Sequence, residues 1–322
     1  MRAQWRTWVI AVVIAVCYAL TVRILFNLSI FRDFLQVMSL SFFITVPFAI
    51  GYLVVALSSI DRVRSLSYRI FAPWVPIFVF LFLTILLAIE GLACWLMILP
   101  LFLVFSSLGG LAAGARKIRR SDRPQKLRIS LIMLLPFFAG PLEKLLPLLP
   151  ARYEAYTVAD IHAPAKKVWD NVLRVRTIPA SADHGTLTRM LGFPRPIRAE
   201  LDFAGVGGSR LAVFSKGLIF KETVREYEDQ KKMFFSIKAD PQTIPSTTMD
   251  QHVVIGGDYF DVLDGTYTLE RLNDSVCRLH LYSHFTLRTT FNFYASWWAG
   301  LIMKDIQNNI LEVIKTRCEG KL

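Results

Sequence analysis

Uncharged runs long enough to cross a bilayer fill the first half of the chain. A hydrocarbon core about 30 Å thick takes roughly 20 apolar helical residues. Trp8–Val22 is unbroken and continues to Leu28 past Arg23, whose long side chain can snorkel to the interface. Phe34–Ser59 carries no charge. Ala72–Ala115 carries only Glu90; as one helix it would reach about 65 Å, so it is expected to cross twice, turning at Glu90-Gly91. A buried functional carboxylate is the other reading of Glu90. A fifth segment, Leu127–Leu149, has a clean stretch from Ile129 to Leu142 and gains bilayer length if Lys144 snorkels and Leu145–Leu149 join it. Prolines 136, 141, 147 and 150 pull the other way, towards a kinked or re-entrant segment. The expectation is a bundle of four or five helices over residues 1–150, with the fifth crossing preferred.

From Ala151 the period changes to two, broken by Gly, Pro, Asn and Asp, which predicts a separate α+β domain over residues 151–322. Strands are expected at Tyr156–Ile161, Ala199–Phe203, Arg210–Ser215, Leu218–Tyr227, Lys232–Lys238, Thr266–Leu272 and Val276–Leu287. Pro164 opens a short helix with Val168, Trp169, Val172 and Val175 on one face. Hairpin links fall at Lys216-Gly217, Asp229-Gln230 and Asn273-Asp274-Ser275. A terminal helix, about Ala295–Arg317, aligns Trp298, Ile302, Ile306, Ile310 and Val313 on one stripe. Such a stripe against an antiparallel sheet closes a core and leaves room for a cavity.

Composition agrees: 54% hydrophobic and 19% charged residues, with mean hydropathy +0.43, exclude a wholly soluble chain. The net charge of +12 is unevenly placed. Residues 1–150 hold 15 basic and 5 acidic residues, and the remainder is nearly neutral. A nucleic-acid partner is therefore not expected, because the positive charge is not on the globular half. It sorts instead by loop. Arg2 and Arg6, then Arg62, Arg64 and Arg69, then the run Arg116–Arg128 fall on one side; Arg32 with Asp33, and Glu90, fall on the other. The positive-inside rule puts the N-terminus in the cytoplasm. The Arg116–Arg128 loop has anionic-lipid contact as a second reading. Gly110-x-x-x-Gly114 is either a close-packing motif or a helix end.

Cys17, Cys94, Cys277 and Cys318 have no metal-ligand spacing, and no metal or cofactor is expected. A Cys277–Cys318 disulfide would suit an extracytoplasmic domain. His280 and His284 share a strand face that alternation turns outward, with no carboxylate or cysteine beside them in the strand. On the other face of that strand stand Cys277, Leu279, Leu281, Phe285 and Leu287. In Leu218–Tyr227, Leu218, Phe220, Glu222 and Val224 share a face, so Glu222 is an acid on an apolar wall. It reads as a structural carboxylate paired with an arginine such as Arg210, as a ligand contact, or as an acid/base group assisted by Tyr267 or Asp264. His252–Asp264, with Asp258, Tyr259 and Asp261, is a lip over the cavity or an ordinary polar loop. The aromatic cluster of Phe291, Phe293, Tyr294, Trp297 and Trp298 is either interfacial anchoring or core, and Trp297, off the core stripe, is the candidate for a membrane or partner contact.

Val158-Ala-Asp-Ile-His-Ala-Pro-Ala-Lys-Lys-Val-Trp169 resembles the opening strand-to-helix phrase of the START-like, or SRPBCC, superfamily of helix-grip domains, which includes polyketide cyclases and lipid-transfer domains. Gly205-Val-Gly207, Phe214-Ser-Lys-Gly217, Phe220-Lys-Glu222 and Leu263-Asp-Gly265 are similar to phrases of a bacterial subgroup with an N-terminal multi-span region, from which the chain departs near His284. The resemblance covers about Tyr153–Cys318. It implies a cavity between sheet and terminal helix for a lipid, polyketide or other apolar molecule. Residues expected to line it are Trp169, Phe220, Glu222, Val224, Phe235, Tyr267, Leu279, Leu281, Phe285, Trp298 and Ile302.

Three functions fit: a membrane-tethered binding module; a cyclase, dehydratase or hydrolase using Glu222; or an assembly protein engaging a membrane partner or a second copy. No nucleophile elbow or phosphate loop favours the enzyme. The expected location is a bacterial inner membrane, with the C-terminal domain periplasmic. A phosphatase reporter fused after Leu322, active only outside the cytoplasm, is accordingly expected to be active. A fluorescent protein that matures only in the cytoplasm should be dark there, and the reverse pair of readings would remove the fifth crossing.

Overall fold

The computed structural model describes residues 2–28, 39–119, 126–143, 145, 150–239, 256–257 and 259–321. Arg32, Asp33, Arg120, Arg123, Lys144, Leu146–Leu149, His252–Ile255 and Asp258, invoked above, lie outside the described residues. The chain divides into two compact units, Met1–Leu148 and Leu149–Leu322.

The first unit is helical: α1 (Arg2–Asn27), α2 (Leu40–Leu57), α3 (Ile60–Val63), α4 (Leu66–Phe71), α5 (Trp74–Leu86), α6 (Leu92–Arg119) and α7 (Lys126–Glu143). Four stretches are long and apolar enough to cross a membrane: Trp5–Asn27, Leu40–Leu57, Leu66–Leu86 and Leu92–Arg119. The expected turn at Glu90-Gly91 separates α5 from α6. α2 is the helix most enclosed by its neighbours, and glycine sets its distance to α6. A Cβ at Gly51 would stand 1.8 Å from the Ser106 carbonyl oxygen, and one at Gly109 would stand 2.0 Å from that of Phe48. Gly110 and Gly114 do allow close approach, but to Arg69 of α4. The helix partner of α2 is the neighbouring Gly109.

Arg23 does not snorkel. It is 2% exposed and its Nε donates to Glu90 Oε1 at 2.5 Å. Glu90 thus sits in the turn with its side chain shielded, and its carboxylate pairs with Arg23. At the other end of α2, Lys117 Nζ donates to the carbonyls of Ala56 and Ser58. Glu143, at the end of α7, accepts from the backbone N–H of Leu40 and Ser41 and from the Ser41 hydroxyl, capping the start of α2. The first part of α7 meets the opposite end of α2, where Ile129 and Ile132 pack on Tyr52, Val55 and Ala56. α7 therefore runs antiparallel to α2 along its length. Its helix continues through Pro136 and Pro141, and its apolar part, Ile129–Glu143, is about 22 Å long; most of the expected remainder to Leu149 lies outside the described residues.

The second unit has the helix-grip architecture. Its elements are β1 (Ala151–Ile161), α8 (Ala165–Leu173), α9 (Thr186–Met190), β2 (Pro196–Leu201), β3 (Ser209–Phe214), β4 (Ile219–Glu228), β5 (Lys232–Ala239), β6 (Phe260–Arg271), β7 (Cys277–Leu287) and α10 (Asn292–Cys318). One antiparallel sheet runs β1-β7-β6-β5-β4-β3-β2. β1 starts five residues and β6 six residues before the expected strands, because each pairs along the whole of β7. Residues 260–264 are therefore strand, not lip. Pro164 precedes α8 as its N-cap rather than its first helical residue. Lys216 and Gly217 carry φ of 61° and 82°, which turns the β3–β4 hairpin.

Cys277 and Cys318 are buried free thiols in the core, not a disulfide, and burial pushes Cys318 up to about 11. α10 is held at mid-length by Gln307. Its amide nitrogen donates to Ala155 O and Ser283 Oγ, and its oxygen accepts from Thr157 Oγ1. Gln307→Leu strands three buried polar groups and is expected to cost about 1–3 kcal/mol in equilibrium unfolding of the purified chain. Asn308→Ala, on the exposed face, should stay within about 0.5 kcal/mol.

Candidate functional site

Alternation in β3 turns Arg210, Ala212 and Phe214 inward, and the hairpin register sets Arg210 directly opposite Glu222. Both are buried, and Arg210 donates from one terminal nitrogen to Glu222 Oε2 at 2.6 Å. The other terminal nitrogen donates to Val172 O of α8 at 3.3 Å. Nε, also buried, has no hydrogen-bond partner among the described residues. The guanidinium carbon lies 5.6 Å from the Phe235 ring centre and 5.8 Å from that of Tyr267, and those rings stack on each other. Gly265 makes room for this: a Cβ there would stand 2.5 Å from Phe235.

Burial pushes the Glu222 carboxyl up, and the Arg210 guanidinium opposes that push. Burial works against the Arg210 charge in turn, and Glu222 together with Tyr267 more than restores it. The Tyr267 hydroxyl is also raised by burial, with Arg210 pulling it back. The constellation is an ion pair roofed by two aromatic rings, with the guanidinium Nε–H unpartnered among the described residues.

Beyond it the packing loosens. One step along the strands from the Glu222–Ile237 pair is the Phe220–Ala239 pair. Phe220, Ile237, Ala239, Phe260, Met303 and Ile306 are half-buried apolar side chains packed on the edge of the core. They gather at the end of the sheet where β4 and β6 begin and β5 ends. The other end is closed, with Trp169 donating to the Tyr227 hydroxyl at 3.1 Å.

The expected lining residues divide accordingly. Trp169, Val224, Phe235, Tyr267, Leu279 and Leu281 share one buried cluster, with Phe220 against it. Phe285 belongs to a smaller cluster with Ala155 and Leu287. Trp298 and Ile302 are half-buried and belong to neither cluster, whereas Ile306 and Ile310 of the same stripe pack on the core and Val313 is buried. The first half of α10 meets the sheet through Ala295, Ala299 and Met303, and the buried residues of the helix begin only at Gln307.

Asp264 cannot assist Glu222, since it lies on the opposite face of the sheet. There it bonds His284 Nδ1 at 2.5 Å and Arg152 at 2.8 Å, while His284 Nε2 stands 3.3 Å from Glu154. His280 meets the Tyr156 hydroxyl at 2.9 Å. Both histidines face outward in side-chain ladders. Among the described residues no group of three or more His, Cys, Asp or Glu could hold a metal ion.

Arg210 is the residue that sequence reasoning underused, naming it only as a partner for Glu222. Its parity with Phe214 in a six-residue strand was the available signal. A second feature carried no signal at all: an open groove of about 750 Å³ beside the ends of α8 and β2, whose lining includes Asp170, Arg174, Arg176, Asp202, Phe203 and Arg317. Arg317 donates there to the carbonyls of Arg176 and Thr177.

No protein-family model matches the chain, and no curated protein does. Similarity to solved structures covers about half of it. Norcoclaurine synthase from Thalictrum flavum is 12% identical over 53% of this chain and 96% of that chain, with TM-score 0.33. A START superfamily protein from Mycobacterium smegmatis is 9% identical over 52% and 99%, TM-score 0.33. A conserved protein from Geobacillus kaustophilus is 11% identical over 52% and 96%, TM-score 0.34.

Removing one partner of a buried ion pair leaves the other charge stranded. Arg210→Met or Glu222→Leu alone is expected to destabilise by about 3–5 kcal/mol, and the double variant to recover most of that loss. Denaturant unfolding of the three variants measures it.

Proposed function

We propose that the C-terminal unit is a START-like binding module that holds a lipid or other apolar small molecule between sheet and α10, in a chain anchored by its multi-span N-terminal unit. The observation that carries this reading is the graded interior. Half-buried apolar side chains at the open end lead inward to Arg210, which is buried and has an Nε–H unpartnered among the described residues. An apolar body would occupy the first part, and a polar oxygen would accept from Nε.

The location that suits this function is a bacterial inner membrane, with the N-terminus cytoplasmic and the C-terminal unit periplasmic. Supporting that side is the antiparallel run of α7 along α2, which returns the chain to the end opposite the basic loop. A cyclase or hydrolase reading of Glu222 is weaker, because its carboxylate is committed to Arg210. An assembly role would leave that Nε–H without a purpose.

Native mass spectrometry of the full chain, with extraction of its lipids, is expected to find a reproducible bound apolar molecule. Ala239→Trp, which fills the open end, should reduce its occupancy at least tenfold without lowering the melting temperature. A chain that purifies empty, or an occupancy indifferent to that substitution, would overturn the reading.

A further inference from the structure

The first half of α10 spends its small residues on the sheet and leaves its large ones outside. Ala295, Ala299 and Met303 make the contact. Phe293, Trp297 and Leu301, at i, i+4 and i+8, are 72%, 57% and 38% exposed. That spacing aligns them on one stripe. Tyr294 and Trp298 stand beside it, half-buried, with ring centres 6.5 and 4.9 Å from that of Trp297. An exposed aromatic patch of this size on a water-facing domain calls for a cover.

Register says what lies near it. Ala151, the first residue of β1, pairs with Leu287, the last of β7, and α10 begins five residues later. The chain therefore enters this unit at the same end as the aromatic patch. Only residues 144–150 separate Ala151 from the end of α7, a link that reaches about 28 Å at most. The patch is leashed close to wherever α7 leaves the bilayer, so a weak surface affinity acts at high effective concentration. Its chemistry fits that setting. Tryptophan and tyrosine prefer the headgroup level, where an apolar ring and a polar N–H or O–H are both accommodated. Arg288 and Lys304, both exposed, flank the stripe with charge suited to lipid phosphates.

We propose that the first half of α10 docks in the lipid–water interface of the membrane that anchors the chain, through Phe293, Trp297 and Leu301. The docked helix carries Met303 and Ile306 of the open end on its inner side, so the entrance to the core stands at the lipid surface. The docking itself does not require the core to hold a ligand.

Spin labels test it in the full chain, reconstituted in phosphatidylcholine–phosphatidylglycerol liposomes. Cys17 is replaced by serine because it is the exposed thiol; Cys94, Cys277 and Cys318 are buried. Phe293→Cys, Trp297→Cys and Leu301→Cys alter exposed side chains and should leave the melting temperature unchanged. Labels there should collide more with oxygen than with a water-soluble nickel chelate. A label at Val158→Cys, exposed on the outer sheet face, should show the reverse order. Nickel accessibility at 297 equal to that at 158 would overturn the proposal. So would dipolar coupling between 297 labels that persists on dilution in lipid, because it would give the stripe to a second copy. Loss of bound lipid in mass spectrometry with the oxygen preference intact would defeat the binding module and leave the docking standing.

Discussion

An antiparallel sheet with one apolar face must be covered, and its edge strand must satisfy backbone groups that no further strand reaches. Gln307 meets both needs at once. One amide group ties α10 to Ala155 in edge strand β1, to Ser283 in β7 and to the Thr157 hydroxyl. Asn309 and Asp305 do the same for the segment around α9, accepting from the backbone of His184 and Thr188. The buried part of α10 is thus registered on the sheet by polar bonds that have one geometry. Apolar contact alone would allow the helix to slide.

Two buried ion pairs mark the two units. Arg23–Glu90 joins α1 to the α5–α6 turn, and Arg210–Glu222 joins neighbouring strands of the grip. Neither is an economical source of stability, since desolvating two charges offsets most of their attraction. Their value is positional. In the bundle the pair fixes which helix ends meet. In the grip it holds a guanidinium against two aromatic rings.

Much of this was written in the alternation of residues, and the failures have identifiable causes. The inward face of β4, the outward histidines of β7 and the turn at Lys216-Gly217 follow from period and parity. Parity could not find the partner of Arg23, which lies 67 residues away in sequence. It could not separate Gly109 from Gly110, because helix facing depends on which neighbour arrives. The stripe of α10 holds at Ile306, Ile310 and Val313 and thins towards its start, where helical periodicity continues past the point at which the sheet contact changes to small residues. Trp298 and Ile302 obey the period and are only half-buried. Glu222 was legible as an inward acid, whereas its pairing needed the register of β3.

The division of α10 at Gln307 also bears on motion. Opening free energy within a protein follows the burial and hydrogen bonding that opening sacrifices. The C-terminal half would give up Leu311, Val313, Ile314 and the Gln307 and Asn309 bonds. Ahead of Asp305, the N-terminal half would give up half-buried contacts, those of Ala295, Trp298, Ala299 and Met303 among them, and the Asn292 bonds to Thr289 and Leu287. One continuous helix is therefore a stiff anchor and a cheap latch, and amide exchange along it should fall in two classes that meet at Gln307.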